Sequence, residues 1–259
     1  MLFFKRILKE PEPEPDPVGE APPAVERRSS QRHKVHPDSP LKAVLSFIGR
    51  DDTGAPMSNS RHGWNWRGRL MDCSEHGVRL QMGPVVKAVT GDDGDLILEM
   101  EDFLLKVPCH IANIREQPTG LIFGLKHDIE DEATWKAYRQ LLEVIAMGST
   151  LKRQFKRTKP DESGYLVEQY ASDRQSRLTV WRNQEDLTVA AFEFLLKDSL
   201  VRAAAGREIQ YLAGTDGASA RPAPPAQSLE IRRLFRWVAP NMAPVVPLDV
   251  RRFLLRFAS

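Results

Sequence analysis

The chain has 259 residues, 41% of them hydrophobic and 28% charged, and a formal net charge of +2. That length accommodates one or two domains, and that apolar fraction supports a buried core. Near-neutrality argues against an avid nucleic-acid binder, which draws on a large positive excess. No apolar run reaches the roughly 18–20 residues of a membrane span.

Residues 1–25 read as a tail and linker. Leu2, Phe3, Phe4, Ile7 and Leu8 fall on one face of a short helix, suited to a membrane surface or a partner. Its interrupting charges do not fit a signal peptide. Pro11–Ala24 (PEPEPDPVGEAPPA) alternates proline with acid and is expected to be extended. From Pro40 to Ile129 the pattern is one of strands: Leu41–Ile48, Trp64–Ser74, and runs in which Val78, Leu80 and Met82, then Leu96, Leu98 and Met100, then Val107, Cys109 and Ile111, then Leu121, Phe123 and Leu125 each share a face. Arg50–Gly63 reads as a long loop, and Gly91–Gly94 and Pro118–Gly120 as turns. Several short strands separated by turns indicate a small barrel or sandwich. Beyond Asp131, a candidate N-cap, Trp135, Tyr138, Leu142 and Ile145 take helical spacing. A first domain therefore covers 26–150.

Residues 151–163, rich in lysine and arginine, read as a basic linker or helix extension. A β-rich unit follows over 164–214, either a second barrel or a sheet extending the first. Residues 215–228 read as a linker. Residues 229–259 form basic amphipathic helices, with Ser228 a candidate N-cap; Ile231, Leu234, Phe235 and Val238, then Val250, Phe253, Leu254 and Phe257, mark their apolar faces. Such helices pack on their own domain with arginines in water, or meet a membrane or partner. The fold class is mainly β.

Two clusters carry the chemistry: Arg27-Arg28-Ser29-Ser30-Gln31-Arg32 and Asp72-Cys73-Ser74-Glu75-His76-Gly77. In this order, ahead of a strand-rich segment and a closing helix, they resemble the RxxxR and DxSxxG signatures of PilZ domains, over about residues 26–148. The resemblance implies an antiparallel β-barrel of about six strands followed by an α-helix. It implies a receptor for the bacterial second messenger cyclic di-GMP, with Arg27, Arg28, Arg32, Asp72, Ser74 and Gly77 at the ligand and no cofactor or metal. The chemistry agrees. The ligand offers two phosphates and two guanine faces, and the planar guanidinium of arginine binds phosphate bidentately, stacks on rings and matches guanine N7 and O6. Asp72 and Ser74 have the same strand parity. The carboxylate can accept from guanine N–H donors, and the hydroxyl can bond base or phosphate. Gly77 suits a positive-φ turn or a close backbone approach.

Other classes fit less well. The six histidines are scattered, with no HExxH, no zinc spacing, no P-loop and no Gly-x-Ser-x-Gly, so no enzyme is expected. Cys73 and Cys109 read as reduced core thiols. The alternative function is a PilZ-like protein-interaction module without ligand. The expected partners are cyclic di-GMP, a protein of unknown identity, and a membrane surface met peripherally through the terminal segments. The expected location is the cytoplasm, including the inner membrane's cytoplasmic face.

Overall fold

The computed structural model describes residues 30–56, 64–156, 160, 164–215 and 219–258. The expected N-terminal helix and linker, together with Arg27 and Arg28, lie outside these residues, as does the second half of the 50–63 loop, residues 57–63.

The first unit contains β1 (His33–Lys34), β2 (Lys42–Phe47), β3 (Trp64–Ser74), β4 (Gly77–Met82), β5 (Asp93–Met100), β6 (Phe103–Gln117) and β7 (Gly120–His127). Alternation decides which residues face inward: Ala43, Leu45 and Phe47, then Leu96, Leu98 and Met100, then Leu105, Val107, Cys109 and Ile111 are all buried. The long β3 closes the ring. Its Trp64–Gly68 half pairs with β2 and its Arg69–Ser74 half with β4, which gives a six-stranded antiparallel barrel in the order β3-β2-β5-β6-β7-β4. Closure leaves these strands no open edge. β1 adds a short rung on the end of β3, His33 opposite Cys73 and Lys34 opposite Asp72.

A helix, α1 (Glu132–Ser149), follows the barrel. Asp131 caps it as expected, its Oδ1 accepting from the Thr134 N–H at 2.7 Å. Tyr138, Leu141, Leu142 and Ile145 join the barrel core. The last turn belongs elsewhere, because Met147 and Leu151 pack in a second core.

That second core lies under a separate seven-stranded sheet. Its strands are β8 (Lys152–Lys156), β9 (Tyr165–Ala171), β10 (Ser176–Asn183), β11 (Val189–Leu196), β12 (Ser199–Ala204), β13 (Gln210–Ala213) and β14 (Arg221–Pro222). They follow one another in sequence order as an antiparallel meander. The unit is thus neither a second barrel nor an extension of the first sheet. Residues 152–156 are a strand paired with β9 rather than a linker or helix extension. Hydrogen bonding to a neighbouring edge outweighs their high charge.

Two helices cover one face of this sheet: α2 (Pro225–Val238) and, after a single 3-10 turn at Ala239–Asn241, α3 (Leu248–Ala258). α2 starts before the expected Ser228, with Pro224 at the cap and Pro225 leading the helix; proline's fixed φ suits that first position. Ser228 lies in the first turn and donates to the Ala223 carbonyl at 3.0 Å. Phe192 is the centre of the packing. It stacks on Phe235 at 5.7 Å and meets Phe253 edge-on at 6.1 Å.

The polar side of α2 is not simply in water. Arg233 pairs with Asp102, and Arg236 Nη1 lies 2.9 Å from Glu101 Oε1, both acids in the turn between β5 and β6. Phe103 meets Trp237 edge-on at 5.8 Å. The two units are therefore joined by α1 and by this seam. Gly148 allows the close approach, since a Cβ there would stand 2.8 Å from the Val238 carbonyl oxygen and 3.0 Å from that of Asn241.

Candidate functional site

The second signature spans a tight hairpin. Ser74 faces Gly77, Cys73 faces Val78 and Asp72 faces Arg79 across β3 and β4. Cys73 and Val78 point into the barrel core. By alternation Asp72 and Ser74 point outward, as their shared parity predicts. Both are nonetheless buried, at 1% and 2% exposure. Segment 30–36 and α1 lie over them.

Asp72 is the centre of an ion-pair cluster. Arg32 Nη1 donates to its Oδ1 at 2.7 Å, and Arg79 Nε donates to its Oδ2 at 2.6 Å. The arginines keep 29% and 38% of their side chains exposed. The carboxylate thus fixes two cationic forks at the surface. Arg79 is absent from the sequence-based site, although the hairpin register places it opposite Asp72.

Ser74 is held by the protein. Its hydroxyl donates to the Gly77 carbonyl at 3.1 Å, and its own carbonyl accepts from the Tyr138 hydroxyl at 2.8 Å. The His127 N–H donates to the His76 carbonyl at 3.1 Å. The turn is therefore pinned from α1 and from β7. Gly77 does not occupy the positive-φ region. A Cβ at this position would collide with the Leu125 carbonyl oxygen, so glycine is needed for the approach of β7.

Beside this cluster opens a cavity of about 580 Å³, lined by Ser30, Gln31, His33, Glu75, a face of α1 and Arg174. Gln31 and His33 face it while Arg32 between them turns to Asp72, as an extended backbone requires. From α1 the wall takes Trp135, the cations Lys136 and Arg139 and the acids Glu132 and Glu143, so it offers one large aromatic and a mixed set of charges. A smaller cavity of about 390 Å³ adjoins it at Glu75 and Trp135, and includes His76 and His127.

Burial shapes the titration of the nearby groups. It lowers His33, helped by the charge of Arg174 and opposed by Asp173. It brings His127 down to about 4, with neither ring nitrogen hydrogen-bonded. It also pushes the Tyr138 hydroxyl and the Cys73 thiol upward. Both cysteines are free and buried. Among the described residues no group of acids, histidines or cysteines is arranged to hold a metal ion, and no helix is long and apolar enough to cross a membrane.

The sequence from 26 to 143 matches the family described as PilZ domain. This segment of the chain is a PilZ domain. It contains both signatures, the closed barrel and most of α1, and the match stops before the second sheet. No curated protein matches the sequence. Among solved structures, the chain is similar to the PilZ domain with c-di-GMP of YcgR from Escherichia coli, with a TM-score of 0.33 and 12% identity, covering 45% of this chain and 89% of that one.

Proposed function

We propose that the protein is a receptor for cyclic di-GMP, binding it where the PilZ domain sets Arg32, Asp72 and Arg79 beside the cavity. The observation that carries this reading is the buried Asp72 gripping two arginines on the outer face of the signature hairpin. Two exposed guanidinium forks held by one carboxylate form a pre-organised anion clamp. Asp72 Oδ1 accepts from Arg32 and Oδ2 accepts twice from Arg79, so the buried carboxylate serves the ligand by orienting both forks. Arg27 and Arg28 precede Ser30 at the cavity rim in sequence and supply further forks for phosphate and base. Ser74 and Gly77 serve by fixing the turn that presents Glu75 and His76. The role is one of binding without catalysis, and the output passes to a protein partner, in the cytoplasm or at the inner membrane surface.

Titration calorimetry with Arg32→Ala and Arg28→Ala variants tests the assignment. A charge-assisted contact is worth about 1.5–3 kcal/mol, so each variant is expected to bind cyclic di-GMP at least about tenfold more weakly than the parent chain. Parent-like affinity in both variants contradicts the proposed site. A folded parent chain that ignores the ligand supports the other reading, a PilZ scaffold that only docks proteins.

A further inference from the structure

The cavity wall includes one residue from outside the PilZ domain. Arg174 lies in the turn between β9 and β10 of the second sheet, yet it borders the same space as Gln31, His33 and Glu75. This turn is tied down. Ser176 Oγ donates to the Met147 carbonyl at 2.7 Å, and the Ser176 and Ser172 hydroxyls lie 2.7 Å apart. Thr150 Oγ1, just past α1, donates to Asp173 Oδ1 at 3.0 Å. Ser172 Oγ accepts from the Arg174 N–H at 3.0 Å, and Gln175 holds a left-handed backbone at φ 54. The backbone at Arg174 is thus locked to the C-terminal end of the helix that forms the cavity's far wall.

The side chain itself is 46% exposed, and its neighbour Asp173 lies beside it with Nε–Oδ1 at 3.9 Å. A partly exposed guanidinium on a fixed backbone, bordering the cavity assigned above to a dianionic ligand, is placed to meet phosphate or a guanine face. Arg139, also in the cavity wall, stands in the same relation to Glu75, with Nε–Oε1 at 3.9 Å, so neither cation is held in a close ion pair.

We propose that Arg174 is a ligand contact, and that cyclic di-GMP bound to the PilZ domain is thereby also bound to the second sheet. The inference rests on the receptor reading above. It assigns the second unit a direct part in recognition, and it gives occupancy of the site a route into that unit that needs no further partner.

The test is titration calorimetry of the full chain with cyclic di-GMP, for the parent, Arg174→Ala, Arg174→Lys and Arg32→Ala. The expected result is a loss of about tenfold or more in Arg174→Ala and a smaller loss in Arg174→Lys, which keeps the charge without the fork. Melting of the ligand-free Arg174 variants should be unchanged, and ligand should slow amide exchange over 172–176 in the parent. Arg174→Ala binding within twofold of the parent, while Arg32→Ala fails, overturns this inference and leaves the receptor reading intact. A parent chain that does not bind overturns both.

Discussion

Asp72 and His127 show two opposite ways of burying a polar group at this site. Asp72 is paired on both oxygens, while His127 has neither nitrogen satisfied. His127 is half-buried beside Tyr138, 4.4 Å away between ring centres, with both ring nitrogens out of water, and its protonated form is disfavoured there. Its pKa falls from the ordinary 6.5 to about 4. A lowered folded-state value means that the unfolded chain binds the extra proton first. Stability is therefore full above about pH 6.5, is lost as pH falls from there to about 4, and levels off below. A shift of that size corresponds to up to about 3 kcal/mol. His33, also lowered by burial, acts in the same direction. Replacing His127 by Phe should flatten the urea-unfolding free energy between pH 4 and 6.5. An unchanged slope in that variant would show that His127 is not the group responsible. Reading Asp72 as a site residue needed only its motif. Its pairing with Arg79 follows from the hairpin register. The shielding of the His127 ring nitrogens was not legible, because it depends on β7 meeting α1, a contact that strand periodicity does not encode.

At the scale of elements, alternation gave the barrel strands closely: β3 runs Trp64–Ser74 as expected, and the faces of β4, β5 and β6 are the inward ones. Asp131 and the apolar spacing likewise placed α1. The basic stretch after α1 was misleading because an edge strand can carry lysine and arginine on its open side. The start of α2 was misleading because proline competes with serine for the first turn. The element that positions the site is α1, since it pins the signature turn through Tyr138 and ends against α2. Its close approach depends on Gly148. Alanine in place of glycine favours a helix by roughly 1 kcal/mol, but here its Cβ would press on two backbone carbonyls, which cannot swing away as a side chain can. The packing cost of about 1–3 kcal/mol should win. Gly148→Ala is accordingly expected to lower the urea midpoint, and a midpoint at or above that of the parent would contradict the packing assigned to α1 and α2. Gly77→Ala should be at least as disruptive and should also weaken the ligand, because β7 would be displaced from the turn. Ligand affinity retained by a folded Gly77→Ala chain would argue against the turn's role.

Across the whole molecule, two separately cored units share one helix. The barrel core takes Tyr138, Leu141, Leu142 and Ile145 from α1, and the second core takes Met147 and Leu151 just beyond. The seam of Arg233 and Arg236 with Asp102 and Glu101 joins them on another side. Asn241 adds a bridge, accepting from the His36 N–H at 3.0 Å, and so links the helical cover of the second sheet to the segment that carries Arg32. This arrangement places the proposed site at a junction of the two units and not on an isolated barrel. The sequence displayed the strands and helices of the C-terminal half but not their attachment to the first, since α2's arginines read as a solvated face until the acids of the β5–β6 turn came opposite them. The central claim is that this junction receives cyclic di-GMP. Its most direct test is a calorimetric titration of the intact chain with cyclic di-GMP, with cyclic di-AMP and GTP as comparisons. Saturable binding of cyclic di-GMP at micromolar concentration or below is expected, with at least about tenfold weaker binding of the other two; a folded protein giving no heat with cyclic di-GMP, or equal affinity for all three, would contradict a cyclic di-GMP site at this junction.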